Sequence, residues 1–122
     1  APAWPSASGL ACDENGFIRV TPTLQSTSHP FVFAAGDVAA YAEPRPKSGV
    51  FAIRAGPVLA NNLRSVMTGK AMQRWAPQGK ALYLISTGKR HALAAWGSLS
   101  TSGEWVWRWK DRIDRRFMQR FS

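Results

Sequence analysis

The run Val32-Phe33-Ala34-Ala35-Gly36-Asp37-Val38-Ala39, directly after Ser28-His29-Pro30, restricts the fold of this chain more than any other stretch. An apolar segment of strand length that stops at Gly-Asp predicts a buried strand ending in a turn. In open α/β sheets ligands bind in the crevice at the carboxyl ends of strands, so Asp37 would present its carboxylate to such a crevice. The small side chains of Ala34 and Ala35 would let a bound group lie close. The competing reading is a turn with no role beyond structure.

Periodicity and punctuation place the other elements. Residues 1–15, rich in Pro, Ala and Ser, read as a connecting segment with no element of its own. Phe17-Ile18-Arg19-Val20 alternates as a short strand, and Thr21-Pro22-Thr23 turns the chain toward Phe31, a pair that fits the hairpin flank of a larger sheet. Pro44 and Pro46 keep residues 41–48 in a loop, because the residue before a proline is steered away from helix. From Val50 to Met67, apolar side chains at Phe51, Val58, Leu59, Leu63 and Val66 fall at helical spacing, closed by Gly69. Pro57 either opens this helix or kinks a longer one that begins near Gly49.

Beyond a boundary near residues 70–79 the pattern changes. Residues 82–86 and 91–96 flank Thr87-Gly88-Lys89-Arg90 as a hairpin, and residues 97–102 offer a third strand. Thr101 with Glu104 reads as a capping box for a final helix, on which Trp105, Trp109, Ile113, Phe117 and Phe121 recur every fourth residue, with Val106 and Met118 beside them in one apolar stripe. The fold class is therefore α+β, with short hairpins, two main helices and domains at 1–69 and 70–122.

Sixteen Lys and Arg against seven Asp and Glu give a net charge of +9, which favours an anionic partner. A single cysteine, Cys12, excludes an internal disulfide and a redox pair, and fits a reducing compartment. No stretch approaches the roughly 20 apolar residues that span a bilayer, and no basic region with an apolar signal core opens the chain. Any membrane contact would be peripheral, on the inner face of a membrane, and the expected location is cytoplasmic. His29 and His91 lack metal-ligand company, and no nucleophile with a base can be assembled.

Residues 1–69, through "HPFVFAAGDVA", resemble the last part of the FAD domain in the pyridine nucleotide-disulfide oxidoreductase superfamily, especially its type II NADH dehydrogenase and sulfide:quinone reductase branches. The segments "RPKSGVFAIRAGPVLANNL", "ISTGKRHALAAWG" and "WVWRWKDRIDRRFMQRF" resemble the oxidoreductase module fused to selenide, water dikinase. The ten glycines form no GxGxxG, the loop that holds a dinucleotide pyrophosphate. The resemblance thus implies the C-terminal fragment of a two-dinucleotide-fold flavoprotein, with FAD as cofactor and NAD(P)H as co-substrate. Absence of cysteines after Asp37 argues against sulfide chemistry.

The resemblance also implies roles. Asp37, after Gly36, would accept a hydrogen bond from a ribityl hydroxyl of FAD. The amides of Ser48, Gly49 and Val50 at the helix start would face the pyrimidine edge of the flavin, with Lys47 adding positive charge. Phe51 and Ile53 would stand near the ring face, where an electron acceptor could approach. Without its N-terminal FAD and NAD domains the fragment would be catalytically silent and would self-associate as a homo-oligomer.

Residues 105–121 carry six cations, Arg108, Lys110, Arg112, Arg115, Arg116 and Arg120, beside the aromatic stripe. Two readings stay open. The helix could lie on a membrane surface. Alternatively its stripe packs on the hairpin sheet and its arginines face solvent or a fused kinase domain. Nucleic acid is the weaker option, since no binding module is recognisable.

Overall fold

Proline, glycine and apolar spacing divide the chain as its composition suggests. The computed structural model describes residues 1–79 and 81–119. They form two units, Ala1–Pro77 and a second beginning at Gln78, each with its own apolar core. Residues 70–77, assigned by sequence to the second domain, stay with the first unit: Trp75 N donates to Pro22 O at 2.7 Å, and Gln73 is tied to Asn62.

The first unit holds α1 (Trp4–Ala7), β1 (Ile18–Arg19), β2 (Ala39–Ala40) and α2 (Gly49–Thr68). The turn α1 was not expected; Pro5 at its start supplies a preset φ and is buried. Two corrections concern the strands. β1 pairs with β2 in parallel, Ile18 opposite Ala39 and Arg19 opposite Ala40, so the main partner of this strand lies twenty-one residues downstream and not in a hairpin. Residues 32–35 do not join a ladder: Phe33 makes one isolated bridge to Gln25, and Ala34 N donates to Leu24 O at 3.0 Å. The regular pairing comes after Asp37, because Gly36–Val38 form a turn of 3₁₀ helix that brings Ala39 beside Ile18.

The cores explain these placements. Ile18, Val20, Ala34 and Ala39 cluster beneath Leu10, Val38 and Tyr41, while Leu24, Ala55 and Val58 join Phe33, Leu59 and Trp75. Leu24 is fully buried with φ of 69°, a left-handed conformation that costs roughly 1–2 kcal/mol and is offset here by a burial of similar worth. Helix α2 is the longer version with Pro57 inside it, and it ends at Gly69 with φ of 65°, which glycine adopts without a Cβ clash. Asn62, fully buried, donates from Nδ2 to Thr23 O and Gln73 O, both at 2.8 Å, and accepts from Gln73 N at 2.7 Å. One side chain thereby satisfies three backbone groups of segments that lack regular structure.

The second unit is an antiparallel sheet in the order β3 (Leu82–Gly88), β4 (His91–Trp96) and β5 (Leu99–Gly103), covered by α3 (Glu104–Met118). Lys89 and Arg90 make the β3–β4 turn with φ of 38° and 58°, the pattern of a type I′ turn in residues that rarely take it. Thr101 is not a cap. It lies within β5 opposite Ala94, and helix α3 starts at Glu104 after Gly103. The aromatic stripe does not form the packed face: Val106 is fully buried against Ala92 and Ala94, whereas Trp105 is 57% and Trp109 41% exposed. Phe121 and Arg120 lie outside the described residues. No described helix is long and apolar enough to cross a membrane.

Candidate functional site

The site predicted around Asp37 and Lys47–Val50 assembles because a glycine lets two segments touch. Gly36 has φ of 71°, and a Cβ built there would lie 3.1 Å from Ala52 Cβ. The turn bearing Asp37 therefore rests on the first turn of α2 at van der Waals distance. Tyr41, half-buried and shared by both clusters of the first unit, accepts a hydrogen bond from Gly36 N to its Oη at 3.0 Å. Burial pushes the Tyr41 hydroxyl above its ordinary range; the Gly36 bond works against this and the Asp37 carboxylate adds to it.

The Asp37 side chain is exposed and makes no hydrogen bond or ion pair among the described residues. The residue is held by its neighbours and not by its own side chain. Across from its turn, α2 begins without a side-chain cap: Ser48 O accepts from Phe51 N at 3.0 Å and Ala52 N at 3.2 Å, while the amides of Ser48, Gly49 and Val50 have no partner among the described residues. Such amides, with the partial positive charge of the helix end, favour an acceptor or an anion.

Lys47 makes contacts that the sequence did not indicate. Its stem is exposed, but Nζ donates to Ala39 O at 2.5 Å and lies 3.9 Å from the centre of the Phe17 ring. The local burial of Nζ lowers its pKa, and Asp13 and Asp37 oppose that shift. Its charge is close to the Asp37 turn, yet one of its three donors is already committed to the backbone. Phe51 is a correction: at 4% exposure it belongs to the interior and cannot meet a ligand, whereas Ile53 is exposed.

The arrangement supplies an acceptor at Asp37, a row of donors at residues 48–50, and a cation behind them. Sequence reasoning missed Tyr41, whose only signal is a phenol five residues beyond Gly36. It also missed a cleft of about 430 Å³ lined by Tyr41, Arg45, Arg74 and Trp75, in which Arg45 Nε and Trp75 Nε1 are buried with no partner among the described residues. His29 and His91 each bond a neighbouring hydroxyl, Ser28 and Thr87, and no three metal-binding side chains converge among the described residues.

Residues 2–56, just under half of the chain, match the model of the family described as pyridine nucleotide-disulphide oxidoreductase. The match ends within the first half of α2 and takes in Gly36, Asp37 and residues 47–50. It supports the oxidoreductase superfamily for this segment; members of that family generally bind FAD and use NAD(P)H.

Proposed function

We propose that this chain is the C-terminal part of an FAD-dependent NAD(P)H oxidoreductase of the NADH dehydrogenase type, in which the first unit completes the flavin site. The observation that carries this reading is the contact of the Gly36-Asp37 turn with the uncapped start of α2, inside the matched segment. FAD held here would supply the chemistry of hydride acceptance from NAD(P)H and electron delivery to a quinone or another acceptor. The residues of this chain bind and orient. Asp37 accepts from a ribityl hydroxyl and so fixes the depth of the cofactor. The amides of Ser48, Gly49 and Val50 hold the pyrimidine edge and favour the extra negative charge of the reduced ring. Lys47 adds charge from behind, through space.

None of the 122 residues forms the GxGxxG cradle, so this stretch alone is expected to bind FAD weakly, to be catalytically silent and to self-associate. The FAD and NAD domains that the reading requires would precede it, and a selenide, water dikinase domain is the fusion partner that the narrower resemblance suggests. The test is the protein encoded by the full reading frame. It should purify yellow, and Asp37→Ala should weaken flavin retention by about tenfold or more, the worth of one charge-assisted hydrogen bond. A full-length protein that purifies colourless and takes up no added FAD refutes the proposal.

A further inference from the structure

We propose that the second unit carries a binding cleft for a phosphoanion with more than one negative charge, formed by α3 and the β3–β4 turn. An open cleft of about 620 Å³ is lined by Arg90, Arg108, Arg112, Arg115 and Arg116, with Asp111 as its one carboxylate. Positions 108, 112, 115 and 116 share one side of a helix, so four guanidinium groups of α3 point into the same space. Arg90 reaches the cleft from the turn, its guanidinium 5.1 Å from the centre of the Trp107 ring.

The charges in this cleft are only partly answered. Arg115 bonds Asp111 at 2.7 Å and Arg108 bonds Glu104 at 2.9 Å, while Arg112 and Arg116 have no partner among the described residues. Five like charges around one opening repel each other, and an entering polyanion relieves that repulsion. Guanidinium is the fitting group, since its planar fork grips two phosphate oxygens at once. A second observation points the same way. Arg90 comes from the β3–β4 turn and not from α3, yet it lines the same cleft, at a left-handed φ of 58° where Asn or Gly is the relaxed choice.

A soluble polyphosphate and a phospholipid headgroup share this chemistry. Exposed Trp105 and Trp109 of α3, stacked with ring centres 6.5 Å apart, would reach headgroup depth only if the source is lipid. The test titrates the whole chain with inorganic tripolyphosphate by calorimetry, and separately mixes it with sedimenting vesicles of phosphatidylcholine and phosphatidic acid, whose monoester headgroup can carry two negative charges. Arg112→Gln with Arg116→Gln should weaken binding by about 100-fold, roughly tenfold for each charge-assisted contact. Arg54→Gln with Arg64→Gln, two exposed cations of α2, should leave it unchanged. Loss of tripolyphosphate binding in the first pair alone supports the cleft with a soluble ligand. Loss of vesicle binding in that pair, and in Trp105→Ala with Trp109→Ala, supports it with a lipid one. Failure to bind either probe, or equal weakening by both arginine pairs, overturns the proposal. All four arginines are exposed, so circular dichroism of the variants should match the parent chain.

Discussion

Replacing Gly36 by alanine should destabilise the first unit by about 1–2 kcal/mol, the balance of three effects. The left-handed φ of 71° costs an L side chain on the order of 1–2 kcal/mol. The added Cβ, 3.1 Å from Ala52 Cβ, forces a shift of a few tenths of an ångström, for about 1 kcal/mol more. Against these, alanine restricts the unfolded chain and returns about 0.4–1 kcal/mol. The effects separate by substitution. Gly36→Asn keeps the crowding but tolerates the dihedral, so it should fall between glycine and alanine. Ala52→Gly in the Gly36→Ala background removes the crowding, and the pair should couple favourably by about 0.5–1 kcal/mol. The assay is urea unfolding followed through backbone amide signals of residues 18–62, which keeps the second unit out of the measurement. An alanine variant as stable as the asparagine one refutes the dihedral argument. Coupling below about 0.3 kcal/mol refutes the steric one.

Asn62→Ala strips three backbone groups of their partner inside the first unit and should cost about 2–4 kcal/mol in the same urea assay. Tyr41→Phe removes the acceptor for Gly36 N and should cost about 1 kcal/mol near neutral pH. The Tyr41 variant also tests a pH dependence. Because the folded-state pKa of Tyr41 is raised, its contribution is fully present below about pH 10 and is lost as pH rises through the folded value. The stability gap between parent and Tyr41→Phe should therefore narrow as pH rises above about 10, by at most about 1.4 kcal/mol for each pH unit. A gap that stays constant or widens over that range would show that the phenol is not held in its neutral form.

Elements whose signals are local were legible in the sequence. Helix α2 could be read from its apolar spacing and Gly69, and the β3–β4–β5 sheet from alternating runs around Gly88 and Gly97. Contacts that join distant residues were not. The parallel pair β1–β2 involves two residues on each side, too few for a periodicity to show, and its register depends on the turn that Gly36 makes. The spacing of Trp105, Trp109 and Ile113 marked a stripe correctly but could not tell which side of the helix meets the sheet. Val106, one residue off that spacing, takes the buried position because Ala92 and Ala94 leave room for it. Gly36 and Asp37 were grouped with residues 47–50 by the family resemblance and not by a local signal, and the approach of the two segments depends on the left-handed turn at Gly36. The commitment of Lys47 to Ala39 and Phe17 was not legible, because it depends on the parallel pairing.

The anchorage of Asn62 matters most at the opposite end of its helix. Thirteen residues separate it from Gly49, a lever arm of about 20 Å at 1.5 Å of rise per residue. A tilt of only about 5° about that pivot would swing the amides of residues 48–50 by roughly 2 Å, more than a hydrogen bond tolerates. The aim of these donors thus depends, together with the burial of Phe51 and Ala55, on a carboxamide far from any ligand they would meet.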